Sequence, residues 1–169
     1  MKLIGKGAFT KAYLKDDNKT VFLKSVCPIK ECMAYGWFPE SYLFPTLESV
    51  GNNEYEMQYY PKVTSLKQNL SKHQWELYKT LRNLNMFGDF YTDKFTHWHE
   101  QFDTIPNKFS KEREALKEAL DGCANYGYDI GFEISPRNVA TKGKKLVLLD
   151  CFFSVSQLHK VRTGEIKVA

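Results

Sequence analysis

The sequence lacks the features that mark secreted or membrane-bound proteins. No apolar run reaches the length of a membrane span, and residues 1–5 contain no hydrophobic signal core. The four cysteines form no Cys-x-x-Cys pair, so neither a disulfide framework nor a cysteine-based zinc site is predicted. We therefore expect a cytoplasmic protein whose thiols are reduced and lie in the core: Cys27, Cys32, Cys123 and Cys151.

A strong charge of one sign is also missing. Lys and Arg number 24 against 20 Asp and Glu, which gives a net charge of +4 without any basic block. Nucleic-acid binding is therefore disfavoured, and the basic group Lys142, Lys144 and Lys145 is more typical of a solvated hairpin turn. The chain does have 43% hydrophobic residues over a length of 169, enough to bury roughly 70% of the unfolded surface in one domain or two small lobes.

One histidine cluster, His97-Trp98-His99-Glu100, raises the question of a metal site. If this segment is a strand, both imidazoles lie on one side of it. Further ligands at zinc-site spacing are missing from the sequence. A metal centre is therefore not predicted at this cluster.

Apolar periodicity divides the chain into a β-rich part and a helical part. In the β-rich part, strands are predicted at 3–4, 12–14, 21–23 and 54–60, with a helix over 29–38 that ends before Pro39. Beyond residue 63 the spacing of leucines over 66–84 predicts helix, Ser110 is a candidate N-cap for a second helix, and strands follow near 139–140 and over 146–149.

Two motifs in the β-rich part suit phosphate binding. Gly5-Lys6-Gly7-Ala8-Phe9-Thr10 lies between two strands, where glycines let a backbone approach a phosphate and present its N–H groups. Many hairpins carry such glycines only for a turn, so this motif alone is weak. Lys24 ends the apolar strand Val21-Phe22-Leu23, which by itself is typical of a solvated edge charge.

A second set of polar residues lies near the carboxyl end of the sequence. Glu133 precedes Asn138 by five residues in a loop, and Asp150 ends the apolar strand 146–149. A carboxylate and an amide oxygen on adjacent strand ends suit Mg²⁺, which prefers oxygen ligands and accompanies phosphates. Taken alone, Asp150 is also compatible with a turn or cap residue.

The order of these motifs resembles that of the protein kinase fold. Within that superfamily the chain most resembles the early-expressed serine/threonine protein kinases of short-tailed bacteriophages, through Gly5 to Tyr13, the strand ending in Lys24, the Ala34-Tyr35 helix and the loop around Asn138. The resemblance implies an α+β, two-lobed fold. Residues 1–63 would form a small N-lobe of five antiparallel strands and one helix, and residues 64–169 a reduced, mainly helical C-lobe.

The resemblance also implies a role for individual residues around ATP and Mg²⁺. Gly5 and Gly7 would cover the phosphates, Lys24 would bind them and pair with Glu31, Met57 would back the adenine pocket, and Gln58 to Tyr60 would bond the base. Asn138 and Asp150 would hold Mg²⁺, Glu133 would be the catalytic base, and Arg137 would reach the γ-phosphate.

The sequence departs from the kinase pattern at the base itself. Glu133 stands where the family has aspartate, and its carboxylate lies one bond, about 1.5 Å, farther from the backbone. A misplacement on the order of 1 Å can cost about a hundredfold in rate. Other departures are Thr10 in place of the third glycine, Cys151-Phe152 in place of Phe-Gly, and only 19 residues after Asp150 for a substrate platform.

Two functions therefore remain open. The first is a minimal ATP- and Mg²⁺-dependent protein kinase, phage-encoded and acting on serine or threonine of host proteins, with tyrosine or the chain itself as other acceptors. The second is a pseudokinase, a kinase-derived binding module that inhibits a host protein without phosphotransfer. In both cases the expected partner is a cytoplasmic host protein, and no membrane is involved.

Overall fold

Five antiparallel strands near the start of the chain form one sheet in the order β1-β2-β3-β5-β4. The computed structural model describes residues 1–89 and 91–168. The predicted strands are all present, and the turn Asn52-Asn53 joins an additional strand, β4, that no sequence pattern indicated. The strands are β1 (Lys2–Lys6), β2 (Thr10–Leu14), β3 (Thr20–Ser25), β4 (Glu48–Gly51) and β5 (Glu54–Gln58).

Helix α1 (Pro28–Ala34) connects β3 to β4 and packs on one face of this sheet. Pro28 starts it, since a helix tolerates proline in its first turn, where no N–H partner is needed. The helix predicted over 29–38 is wrong in its second half. Gly36 adopts a positive φ of 76°, which ends the helix well before Pro39.

The rest of the chain contains five helices and two small sheets. β6 pairs antiparallel with β9, and β7 pairs antiparallel with β8. The helices are α2 (Leu66–Asn69), α3 (Lys72–Arg82), α4 (Lys94–Asp103), α5 (Ser110–Cys123) and α6 (Val155–Arg162). The strands are β6 (Ile130–Phe132), β7 (Val139–Lys142), β8 (Lys145–Leu148) and β9 (Phe152–Ser154).

Three expectations for the helical part need correction. The leucine pattern of 66–84 forms two helices, because Ser71 is extended and its hydroxyl caps the N–H of Gln74 at the start of α3. Ser110 is the first residue of α5 and not its cap. The cluster around His97 lies on helix α4, so the strand assumed for it is wrong; Asp93 caps this helix through the N–H of Thr96.

A single large core joins the two parts of the chain. It contains residues from the sheet region, from the helices and from the small sheets. A smaller cluster lies between the large sheet and α1. The fully buried members of the large core include Leu43, Leu77, Phe102, Phe109, Leu116, Leu120, Ile130, Leu146 and Phe152.

The predicted α+β class, with a small antiparallel sheet followed by a mainly helical part, is confirmed. A five-stranded antiparallel sheet carries one helix between its third and fourth strands, and the later strands form the pairs β6–β9 and β7–β8. Of the helices in residues 1–89 and 91–168, none has the length and apolar character that a bilayer crossing requires. The four cysteines are free and buried, as predicted.

Candidate functional site

The two small sheets bring Glu133, Asn138 and Asp150 together through their backbones. The N–H of Leu149 donates to the carbonyl of Asn138 at 2.8 Å. The N–H of Glu133 donates to the carbonyl of Cys151 at 2.9 Å. Asp150 therefore lies between two residues whose backbones are bonded to the two ends of the 133–138 loop, so the backbones of the three residues lie close together and their roles stay a prediction.

The side chains of this loop differ in their exposure. Glu133 and Arg137 are exposed, whereas Asn138 is half-buried. The side chain of Asp150 is 39% exposed. Together these residues line a surface on which oxygen and guanidinium groups remain accessible to a charged ligand.

A buried lysine, Lys30 of helix α1, lies against Asp150. Its Nζ is 3.1 Å from Asp150 Oδ1 and donates a hydrogen bond of 2.8 Å to the carbonyl of Leu149. Burial by itself lowers the pKa of Lys30, but the adjacent Asp150 carboxylate outweighs it, and the pKa lies above its ordinary value. Lys30 is therefore a fixed positive charge beside the predicted metal-binding carboxylate.

Lys24 and helix α1, which carries Lys30, lie on opposite sides of the five-stranded sheet. Successive side chains of a strand point to opposite faces, and α1 packs on the face of β3 that carries Val21 and Leu23. Lys24 therefore lies on the other face, where its Nζ is 3.3 Å from Glu54 Oε1. The pairing of Lys24 with Glu31 expected from the sequence is wrong, because the two residues are on opposite sides of the sheet.

The Glu31 carboxylate has tyrosine partners. The hydroxyl of Tyr126 donates a hydrogen bond to Glu31 Oε2. A hydrogen bond to Glu31 also raises the pKa of Tyr35, which follows it by one helical turn. Burial and then the Glu31 carboxylate raise the pKa of Tyr126 above its ordinary range. Glu31 thus belongs to a cluster of phenols.

The glycine motif forms a closed turn between β1 and β2. The N–H of Gly7 donates to the carbonyl of Thr10 at 2.8 Å, and the carbonyl of Phe9 accepts from Val26 at 3.0 Å. The Phe9 side chain is 7% exposed and belongs to the large core. Gly7 lies at this turn and Gly5 in the preceding strand β1, and in this conformation a backbone N–H that could face a phosphate is used within the turn.

The residues predicted to hold the base line a cleft with a volume of about 1220 Å³. Met57, Gln58 and Tyr60 form one wall. The loop between α1 and β4 and the β7–β8 hairpin form the others. Lys142 Nζ donates to Gln58 Oε1 at 2.9 Å across this cleft.

Of the described residues that line this cleft, none is Lys30, Glu133, Asn138 or Asp150. Met33 lines the cleft and follows Lys30 by three residues on α1, and Val147 lines it and precedes Asp150 by three residues. The cleft and the 133–150 loop are therefore separate features that α1 and β8 connect.

The oxygen donors at the loop fit the Mg²⁺ ion that the resemblance to protein kinases implies. Mg²⁺ usually takes one or two carboxylates, with waters and phosphate oxygens completing its coordination. Asp150 and Asn138 supply one carboxylate and one amide oxygen from adjacent strand ends. Within the described residues, no three His, Cys, Asp or Glu side chains gather into a metal site.

The histidines of the 97–100 cluster have separate partners. His97 Nε2 lies 2.7 Å from the carbonyl of Asn85. His99 Nε2 lies 2.7 Å from Asp121 Oδ1. His97 therefore links α4 to the connector that precedes it, and His99 links α4 to α5.

Sequence reasoning missed the position of Lys30. It directly precedes Glu31 on the helix, and no motif distinguishes it from other lysines of the chain. The one available signal was its position in the sequence Pro-Ile-Lys-Glu-Cys, where a lysine falls between residues that the apolar spacing buries.

No protein-family model matches this chain, and no curated protein gives a significant match. Among solved structures it is similar to the ADP-bound aminoglycoside phosphotransferase APH(2'')-Ib, with a TM-score of 0.44, 13% identity and coverage of 90% of this chain and 66% of that one. The streptomycin–ATP–APH(2'')-IIa ternary complex gives a TM-score of 0.42, 12% identity and the same coverages. The chain thus spans slightly less than two thirds of the first structure's length.

Proposed function

We propose that this chain is an ATP- and Mg²⁺-dependent phosphotransferase that acts on hydroxyl groups of proteins. The observation that carries the proposal is the meeting of Glu133, Asn138 and Asp150 beside the buried ammonium of Lys30. Phosphoryl transfer depends on positioning and on charge stabilisation, and this region has a carboxylate, an amide and a fixed positive charge at strand ends.

In the proposed complex the adenine base occupies the large cleft at Met57, Gln58 and Tyr60, and the phosphates extend toward Asp150. Asp150 and Asn138 would hold Mg²⁺, which neutralises charge on the phosphate oxygens. Arg137 is exposed at the end of the 133–138 loop and offers a forked donor for a phosphate. Gly5 and Gly7 would cover the phosphates only after their turn opens.

Glu133 is the proposed base. Its side chain is exposed, so the hydroxyl of a protein segment can approach it. The acceptor oxygen forms a bond to the γ-phosphorus, the bond to the ADP oxygen breaks, and the acceptor proton passes to the Glu133 carboxylate. Serine and threonine of a host-cell protein are the proposed acceptors, with tyrosine or the chain itself as further candidates.

Transfer of label from γ-labelled ATP to host-cell extract, or to the chain itself, tests the proposal. The wild-type chain should label a protein in the presence of Mg²⁺, and Asp150→Asn and Glu133→Gln should each reduce labelling at least a hundredfold. Glu118→Gln, an exposed carboxylate on α5, is the matched control and should leave labelling unchanged. Equal labelling by the wild type and Asp150→Asn would contradict the proposal.

A second function, a nucleotide-free binding module derived from a kinase, is favoured by two observations. Lys30 occupies one oxygen of Asp150, and Phe9 closes the glycine turn into the core. A thermal-shift assay with ATP and Mg²⁺ separates the two functions. Saturation at a hundred times Kd adds about 2.7 kcal/mol. A shift with labelling supports the transferase, and no shift with no labelling supports the binding module.

A further inference from the structure

The carboxylate of Glu31 has no cationic partner. Among residues 1–89 and 91–168, no Lys, Arg or His nitrogen lies within 4.0 Å of it. Its neighbour Lys30 is directed to Asp150, and Lys24 is on the far face of the sheet. Glu31 is nevertheless half-buried, and a partly buried charge without a counter-charge favours binding of a cation.

Aromatic rings surround this carboxylate. Tyr126 donates its hydroxyl to Glu31, and Tyr35 lies one turn along the same helix. Trp37 contacts both rings, with centroid distances of 5.7 Å to Tyr35 and 5.9 Å to Tyr126. Burial and then the Glu31 carboxylate raise the pKa of Tyr55 to about 12. The phenols therefore stay neutral at physiological pH and act as hydrogen-bonding groups.

A cavity of about 130 Å³ opens beside Glu31. We call it the Glu31 pocket; its walls include Glu31, Tyr35, Ser49, Asn52, Asn53 and Tyr55. Apart from the carboxylate, these side chains offer amide and hydroxyl groups, and Tyr35 adds a ring that is 60% exposed. The pocket has room for several water molecules or for the end of an alkylammonium chain.

We propose that the Glu31 pocket binds a primary ammonium group, carried by a small alkylamine or by a lysine side chain. The three N–H donors of an ammonium match one carboxylate together with amide and hydroxyl oxygens. The rings of Tyr35 and Tyr55 line the pocket, and an aromatic face favours a nearby cation. The pocket contains residues other than the assembled 133–150 region, so this site is independent of phosphotransfer.

The chemistry of the pocket favours an organic cation over a metal ion. Ca²⁺ takes six to eight oxygen ligands, usually with several carboxylates, and the pocket contains one carboxylate. Aromatic rings contribute nothing to the coordination of a hard metal ion, but they do stabilise an ammonium through their negative faces. Occupation by an amine would also supply the positive charge that Glu31 lacks.

Titration with n-butylammonium chloride and with Nα-acetyl-lysine amide, at constant ionic strength, tests the site and distinguishes the two sources. Trp37 is the reporter, because it is 41% exposed and contacts Tyr35. We expect a saturable change in tryptophan fluorescence with n-butylammonium. A similar change with the lysine derivative indicates that a protein side chain also fits, and its absence restricts the ligand to free amines.

Glu31→Gln keeps the shape of the side chain and an oxygen acceptor for Tyr126, and it should weaken n-butylammonium binding at least tenfold. The control Glu118→Gln removes an equal charge from the exposed face of α5 and should bind like the wild type. If Glu31→Gln fails to fold, Tyr35→Leu replaces it, since Tyr35 is mostly exposed. No saturable change in the wild type, an equal change with NaCl, or unaltered binding by both variants would overturn the proposal.

Discussion

Two lysines differ in how much the fold depends on them. Lys30 is buried against Asp150, whereas Lys24 and Glu54 form a pair with side chains 39% and 35% exposed. Removing the Lys30 ammonium leaves Asp150 partly solvated, but it also removes a charged hydrogen bond to the Leu149 carbonyl, and such a bond contributes about 1.5–3 kcal/mol. An exposed pair contributes at most about 1 kcal/mol.

We therefore expect Lys30→Met to lower the free energy of unfolding by about 1.5–3 kcal/mol and Lys24→Met by less than about 1 kcal/mol. Urea denaturation measures both. The double variant Lys30→Met with Asp150→Asn should regain part of the loss, since it removes the orphaned carboxylate as well. Equal losses for the two single variants would contradict the assignment of Lys30 as the buried partner of Asp150.

The sequence placed Asn138 and Asp150 at the ends of adjacent strands, and the β7–β8 hairpin agrees with that placement. Glu133 comes close to them through the pairing of β6 with β9, which joins the chain segments before and after this hairpin and had no sequence signal. The partner of Lys24 depends on which face of β3 helix α1 covers. The helix covers the face on which Val21 and Leu23 are buried. Residue type alone does not contain this information, since the apolar residues Phe22 and Leu23 lie on opposite faces.

Among the secondary-structure elements, Gln74 of α3 connects three parts of the fold. Its side-chain amide donates to the Tyr42 hydroxyl at 2.7 Å, and its carbonyl accepts from the N–H of Leu146 in β8 at 2.9 Å. Tyr42 in turn donates to Glu112 of α5. Gln74 is 5% exposed, so these bonds are made in a region from which water is excluded.

Gln74→Leu should lower the free energy of unfolding by about 1–3 kcal/mol, because the buried N–H of Leu146 loses its acceptor. Gln68→Leu on α2, an exposed position, is the control and should change stability by less than about 0.5 kcal/mol. Hydrogen exchange provides a second readout: the Leu146 amide should exchange faster only in the Gln74 variant. Unchanged exchange there would show that another group satisfies this amide.

Element types followed from periodicity where the apolar residues had a clear environment. Strands β1, β2, β3 and β5 and helix α5 are examples. The cluster at His97 was assigned to a strand because the two imidazoles are two residues apart, which matches the alternation of a strand. The structure has a helix here, and Trp98 and Phe102, four residues apart on α4, lie in the core. The end of α1 depended on the positive φ of Gly36, which composition did not indicate.

For the whole molecule, buried acidic groups make stability sensitive to alkaline pH. Burial raises the pKa of Cys27 to about 12 and raises the pKa values of Cys123 and Cys151 well above that of a free thiol. Above about pH 9 the unfolded thiols lose protons that the folded ones keep. Each such group lowers stability by about 1.4 kcal/mol per pH unit until its folded pKa is reached.

We therefore expect the thermal midpoint to be nearly constant between pH 7 and 8.5 and to fall steadily from pH 9 upward. Circular dichroism melts across this range measure it. Cys27→Ala serves as the comparison, because it removes one titrating thiol and should make the alkaline decline shallower. A midpoint that is equally stable at pH 10.5 and pH 8 would contradict the expectation.

The division predicted at residue 63 separates a β-rich part from a helical part along the chain, but the large core contains residues from both parts. Phe9, Ile29, Leu43 and Phe44 from the first part belong to the same core as the helices of the second. A sequence pattern assigns apolar residues to faces and not to partners, so this interlocking was not predictable. The five-stranded sheet, by contrast, was expected from the resemblance and from the local strand patterns.

The attachments of helix α1 have a mechanical consequence. Lys30 bonds to the β8–β9 connection, the Cys32 thiol lies 3.6 Å from the carbonyl of Gly122, and the loop after the helix accepts from Leu148 through Leu43 at 2.6 Å. A helix that is bonded at its start, at its middle and in the loop after it is held rigidly in place. The β1–β2 turn shares this attachment, because Phe9 packs in the same core as Ile29 of the helix.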